Sequence, residues 1–204
     1  RTGYEVLTDE VFKKASDTQT PQGVLCVLAM PHYELADQLD VWLSDEQNAL
    51  LLVMLENLQD PGNLGTILRA GEGAGVNGII MTRQTADLFN PKVIRSTMGS
   101  IYRVPFFIVD ELGETIGLLQ KKGVAVYAAH LDDSVDYDMP DYTKPTAFLI
   151  GNEGNGLKRE TADMATQYIK IPMAGQVESL NAAVATTILM YEASRQKRVR
   201  RKQL

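Results

Sequence analysis

Short apolar runs alternate with stretches of helical periodicity along most of the chain. Runs at residues 24–30, 50–55, 78–81, 106–109, 124–130, 146–150 and 168–171 are brief and almost uniformly apolar. That pattern predicts buried strands rather than amphipathic helices. Helical spacing predicts a first helix over 9–16 and further helices near 64–74, 92–101, 111–122 and 157–164. A long one starts at about Asn181, where Val184, Ile188 and Tyr191 recur on one face. Strand–helix alternation of this kind predicts an α/β fold, a mostly parallel sheet flanked by helices. Residues 31–47, with Pro31 and the polar run at 37–40, predict a linker. Residues 1–30 hold one helix and one strand, too little to bury a core alone. They read as the end of a preceding domain or an appendage of the main one.

The chain has 204 residues, which suits one domain or one domain and a fragment. At 45% hydrophobic and 23% charged residues it is neither disordered nor low-complexity. The single cysteine, Cys26, excludes an internal disulfide and a cysteine-cluster metal site. The two histidines, His32 and His130, are too few for a histidine-built one, so no metal is expected. The longest apolar runs, 24–30 and 49–55, fall far short of the ~20 residues that cross a bilayer. Because the chain opens on Arg1 rather than Met, it reads as trimmed.

The formal charge of -6 hides an asymmetry. Arg195, Lys197, Arg198, Arg200, Arg201 and Lys202 fall in the last ten residues with no acid among them, and the remainder carries -12. A concentrated basic end on an acidic body can bind a phosphate backbone locally, or be a solvated helix end.

Four segments bear on chemistry. Gly73, Gly75 and Gly78 spell G-x-G-x-x-G, but they close a helix and precede a strand, the reverse of a dinucleotide fingerprint. They predict a helix C-cap and a turn. The segment 57–69 follows a buried strand, where open α/β sheets place ligands. Its Asp60, Pro61 and Asn63 are helix-start chemistry. Arg69 lies six residues past Asn63, about 120° around the helix at ~100° per residue. Asn63 as N-cap with Arg69 as a surface ion-pair residue is one reading, and a polar site is the other. Gly151-Asn-Glu-Gly-Asn-Gly156 follows an apolar strand; its glycines let the backbone approach a ligand and expose N–H groups. Glu153 within it suits a ribose hydroxyl or a cationic cofactor better than a phosphate. In segment 169–181, Ser179 or Asn181 is placed to cap the long helix.

Taken together, Asn63-x-Gly-x-x-x-Arg69, the stretch 90–105, Gly151-x-Glu-Gly-x-Gly-Leu157 and Ile171-Pro-Met with Ser179-Leu-Asn181 resemble the ordered motifs of the SpoU/TrmH family. These are SPOUT-class RNA ribose 2′-O-methyltransferases that use S-adenosylmethionine. The resemblance spans about residues 48–196, and makes 48–204 the methyltransferase domain. It implies a C-terminal trefoil knot, with the last helix region tucked through the loop 151–156. It also implies a cytoplasmic homodimer with active sites at the subunit interface. Residues 1–30 resemble the end of the N-terminal α/β substrate-binding domain that often precedes this catalytic domain.

Carried over by motif, Gly151, Ile171 and Leu180 are the cofactor-binding positions. Asn63, Arg69, Glu153, Ser179 and Asn181 are the polar catalytic positions. One departure is Ser96-Thr97-Met98-Gly99-Ser100, where the family often has a small residue and then Gly-Ala. The resemblance implies that Arg69 helps activate the 2′-hydroxyl. An arginine with a pKa above ~12 is a poor base, so stabilisation of developing alkoxide charge is the expected role. Arg83, Lys92, Arg95, Arg103 and the basic tail are candidate phosphate contacts. Ribosomal RNA is the first expected substrate and tRNA the second. The alternative outside the enzyme class is a non-catalytic RNA-binding dimer of the same fold.

Overall fold

The structure, a computed structural model, describes residues 3–16, 18–45, 49–131 and 133–203. It divides into two units, residues 1–32 and 33–204. In the first, α1 (Asp9–Ser16) buries none of its residues. The strand expected at 24–30 does not form; Val24 and Val27 are largely exposed. An apolar run becomes a strand only when a neighbour satisfies its backbone groups, and none of the described strands pairs with it.

The second unit is built on seven strands: β1 (Leu51–Leu55), β2 (Gly78–Thr82), β3 (Phe106–Val109), β4 (Ala125–Ala129), β5 (Val135–Asp136), β6 (Thr146–Ile150) and β7 (Gln167–Lys170). Their order is β3-β2-β1-β6-β4-β7-β5, and every pairing is parallel. All five residues of β1, β2 and β6 are buried. That is why these strands read as continuous apolar runs, since both sheet faces are covered.

Alternate side chains feed two cores. Leu51, Val53, Leu55, Phe148 and Ile150 pack with α3 (Pro61–Ala74) and α7 (Ala182–Arg201) on one face. Leu52, Met54, Ala147 and Leu149 pack on the other with α5 (Leu112–Lys121) and with α2 (Leu35–Leu43). Helix α2 occupies the stretch expected to be a linker. Leu39 is fully buried and Trp42 packs edge-on against Phe107. The polar residues 37 and 40 that suggested a connector are the outer face of an amphipathic helix; residues 46–48 lie outside the described ones.

Two predicted helices are shorter than expected. The stretch near 92–101 is α4 (Pro91–Ser96) and a 3-10 turn (Ser100–Tyr102), separated at Met98 and Gly99, both at positive φ. The helix near 157–164 is only α6 (Arg159–Ala162). Gly75 caps α3 in the left-handed conformation at φ 83°, and Val76 N–H reaches Gly71 O at 2.8 Å, as its position after the helix predicts.

Candidate functional site

The parallel strands deliver the segments after β4, β6 and β7 to one edge of the sheet, their C-terminal end, where open α/β folds bind ligands. A cavity of about 520 Å³ lies there. Its wall is formed by Ala129–Leu131 after β4, the loop 151–157 after β6, Ile171 and Met173 after β7, and residues 178–182 leading into α7. Gly151, Ile171 and Leu180 all line it, as do Glu153, Ser179 and Asn181. Asn63 and Arg69 do not.

The loop 151–156 closes on itself. Asn152 and Gly156 exchange backbone hydrogen bonds of 3.0 and 2.9 Å, and Asn152 Oδ1 accepts from Gly154 N–H at 2.8 Å and Asn155 N–H at 3.2 Å. The N–H groups expected to face a ligand at residues 154–156 are therefore occupied within the loop. A Cβ on Gly151 would overlap the backbone of Gly156 and Leu157, so only glycine permits the loop to close this tightly. Asn152 Nδ2 also donates to Asn57 O at 2.8 Å, tying the loop to the segment after β1.

A polar chain joins the two motif loops to the start of α7. Glu153 Oε2 accepts from Gln59 N–H, and its Oε1 accepts from Asp60 N–H and Asn63 Nδ2, all at 2.9 Å. Asn181 Nδ2 donates to Asn63 Oδ1 at 2.9 Å. Asn181 Oδ1 caps α7, accepting from Ala183 N–H at 2.9 Å and Val184 N–H at 3.2 Å. Burial alone would raise the Glu153 pKa. The hydrogen bonds from Gln59, Asn63, Asp60 and its own backbone outweigh it and hold the carboxyl below its usual value. The three donors meet the Glu153 carboxylate directly, so its position is fixed by the chain itself, with no ligand needed.

Asn63 is not the cap of α3: Asp60 is, its Oδ1 accepting from Asn63 N–H at 2.8 Å, with Pro61 at the first helical position. This leaves the Asn63 side chain free to bridge Glu153 and Asn181. Arg69 does not join that chain of bonds. It is exposed on α3 and has no hydrogen-bond or ion-pair partner among the described residues, so it is neither the expected surface ion pair nor held by Asn63, Ser179 or Asn181. Of the proposed phosphate contacts, Arg83 pairs with Asp110 at 2.7 Å, Arg103 pairs with Glu72, and Lys92 and Arg95 are exposed.

Sequence reasoning missed two buried or paired carboxylates, one of them beside the site. Glu56, buried at the end of β1, accepts from Lys158 N–H at 2.8 Å and Thr161 Oγ1 at 2.6 Å, and so anchors the far side of the glycine loop. Glu72 receives Ser100 Oγ and Arg103, whose hydrogen bonds hold its carboxyl down to about 2. The Ser100 departure from the family pattern thus has a partner. An acid at the end of an apolar strand was the signal available for Glu56. Among the described residues no group of three or more His, Cys, Asp or Glu is placed to hold a metal ion, and no helix is long and apolar enough to cross a membrane.

The chain is similar to known proteins over most of its length. The SpoU rRNA Methylase family matches residues 50–191. A putative TrmH family tRNA/rRNA methyltransferase of Staphylococcus haemolyticus is 38% identical over 176 residues, 86% of this chain and 71% of that protein. The 23S rRNA (guanosine(2553)-2'-O)-methyltransferase RlmP of Bacillus subtilis is 33% identical over 186 residues, 91% of this chain and 70% of that one. The crystal structure of an AdoMet-bound rRNA methyltransferase from Sinorhizobium meliloti superposes with a TM-score of 0.81 at 37% identity, covering 92% of this chain and 70% of that chain. With all seven strands, the cavity and the motif loops inside the matched region, this chain belongs to the SpoU rRNA methylase family.

Proposed function

We propose that this chain transfers a methyl group from S-adenosylmethionine to a ribose 2′-hydroxyl in structured RNA, ribosomal RNA before transfer RNA, as a cytoplasmic homodimer. The observation that carries this reading is the convergence of Gly151, Ile171 and Leu180 on one cavity whose rim holds Ser179 and Asn181. A volume of about 520 Å³ falls within the range of small-molecule sites, roughly 300–1,000 Å³. Ile150, Leu157, Ile171 and Leu180 offer apolar surface for a heterocycle, and Ser179 and Asn181 offer polar groups for a ribose or amino-acid end. The bound cofactor supplies a methyl group already activated by its sulfonium.

The chain's own residues then position the acceptor. Asn181 and Asn63 orient the ribose end of the site, and Glu153 holds both loops in register as a positioning residue. Alignment of this kind supplies up to about 7–11 kcal/mol of a barrier. Arg69 stabilises the charge developing on the 2′-oxygen and on a neighbouring phosphate. Since it lies outside the cavity of its own chain, it acts on the cavity of a second copy. The exposed face of α3 around Thr66 and Arg69, beside Val184 and Tyr191 of α7, is the surface through which two copies meet. On the same reading, and by the family resemblance, the chain carries the trefoil knot. Residues 1–30 are the end of an N-terminal RNA-binding domain, supported by an α1 that buries nothing.

Calorimetry with S-adenosylhomocysteine, followed by mapping of 2′-O-methyl groups in ribosomal and transfer RNA incubated with the protein, tests the reading. Expected are binding and a single ribose methyl in ribosomal RNA. Absence of binding, or methylation on a base, refutes it; methylation of tRNA alone corrects the substrate. Light scattering that finds a fully active monomer at micromolar concentration refutes the dimer.

A further inference from the structure

The C-terminal half of α7 carries a surface that methyl transfer at the cavity does not use. At ~100° per residue, Val184, Ile188, Tyr191, Arg195, Arg198 and Lys202 fall within a sector of about 80°. The exposed face is therefore apolar near the cavity and basic beyond it. Arg195, Arg198 and Lys202 are all exposed. Arg195 is held by Glu192 at 2.7 Å, while Arg198 and Lys202 have no side-chain partner among the described residues. The opposite face is fixed to the sheet. Lys197 Nζ donates to Ala49 O at 2.8 Å and Leu50 O at 3.1 Å, and Arg200 donates to Thr143 O and Oγ1 at 3.2 and 3.1 Å. These partners precede β1 and β6, so the basic end sits at the N-terminal edge of the sheet, opposite the cavity. At a rise of ~1.5 Å per residue, Arg195 to Lys202 lie about 20–30 Å along the helix from Asn181 at the cavity rim.

We propose that Arg195, Arg198 and Lys202 form a second contact for the phosphate backbone of an RNA stem that flanks the methylated nucleotide. Charge complementarity identifies the partner. The stripe belongs to a ten-residue segment with six basic residues and no acid, on a body of formal charge -12, and a polyanion is attracted there and repelled elsewhere. Distance identifies its form. The stripe is too far along α7 to touch a nucleotide bound in the cavity of its own chain, and a stiff helix presenting fixed charges loses least freedom against a partner whose phosphates are also fixed. The proposal rests on the RNA-methyltransferase reading for its biological setting, though not for its test.

The test uses the full chain and a variant, Arg198→Gln with Lys202→Gln, which leaves the sheet-bound Lys197 and Arg200 in place. The probes are a 20-base-pair RNA duplex, a five-nucleotide single strand, and vesicles rich in phosphatidylglycerol. For the duplex, the slope of log affinity against log salt should become shallower by about 1.4–1.8, the release expected for two phosphate contacts. Binding of the short strand and of S-adenosylhomocysteine, and the melting temperature, should be unchanged. An unaltered slope, an equal loss on the short strand, or a loss seen only with vesicles overturns the proposal. Absence of duplex binding by the wild-type protein, with S-adenosylhomocysteine still bound, also overturns it while sparing the methyltransferase reading. The expected slope change in a protein that methylates no RNA sustains the contact and removes that reading instead.

Discussion

Replacing Glu153 by Gln separates a clamp from a group that touches the reacting molecules. The carboxylate accepts three hydrogen bonds of 2.9 Å, from Gln59 N–H, Asp60 N–H and Asn63 Nδ2. A glutamine amide keeps one acceptor oxygen, which serves Asp60 and Asn63, and turns its NH₂ towards Gln59 N–H. One donor then loses its partner, and two bonds lose the strength of an ionised acceptor. An orphaned donor costs about 1–3 kcal/mol when buried. Glu153 is exposed, so water recovers part of this and the expected stability loss is about 1 kcal/mol. Loosening Asn63 and Asn181 by that amount slows methyl transfer by at most about tenfold, since 1.36 kcal/mol is one decade. Affinity for S-adenosylhomocysteine should barely change. Because the Glu153 carboxyl lies below its usual pKa in the folded protein, its stabilisation is present above the unfolded value of about 4.5 and is lost as pH falls through the folded one. The variant should lack that part of the acid transition. Urea unfolding at pH 7 and pH 4, calorimetry and single-turnover methylation measure all three quantities. A rate loss beyond a hundredfold with stability intact would refute the clamp and place Glu153 against the substrate or cofactor. No change in either would refute any role.

Arg69→Ala should lower the single-turnover rate by about two orders of magnitude or more, the scale for removing one transition-state donor. Its S-adenosylhomocysteine binding should stay near normal, because Arg69 lies outside the cavity wall; near wild-type turnover removes it from the mechanism. Arg69→Lys should restore only part of the rate, since an ammonium lacks the planar fork. Gly151→Ala forces the loop backbone apart at Gly156 and Leu157, and calorimetry should find S-adenosylhomocysteine affinity reduced at least tenfold. Burial pushes Lys197 down to about 7, with Arg201 adding to it. Between about pH 7 and 10.5 the unfolded chain binds more protons than the folded one, so stability rises with pH across that window. Lys197→Met should flatten the rise in urea midpoints taken at pH 7 and 9.5 at equal protein concentration.

The sequence by itself determined the long apolar strands of the sheet, though not the two-residue β5 (Val135–Asp136), too short to leave a pattern. Leu51–Leu55, Gly78–Thr82 and Thr146–Ile150 are buried on both faces, so their apolar runs are unbroken and legible without a structure. The left-handed cap at Gly75 and the Asn181 cap on α7 were legible because each is settled within one helical turn. The cavity residues Gly151, Ile171 and Leu180 were legible as motif positions, although their convergence was not. That convergence comes from strand order: β4 lies between β6 and β7, which brings three segments from residues 129 to 182 to one edge. No local preference encodes such an order, because it is decided by which strands pair. Partners likewise decided that residues 24–30 form no strand and that residues 31–47 include a helix with Leu39 and Trp42 against the sheet. The bonds from Glu153 to Asn63 and from Lys197 to Ala49 and Leu50 join residues 90 and about 150 positions apart. Side chains that meet only after the sheet has assembled leave no spacing in the sequence, so the clamp, the anchored end of α7 and the absence of Arg69 from the cavity wall belonged to the tertiary structure alone.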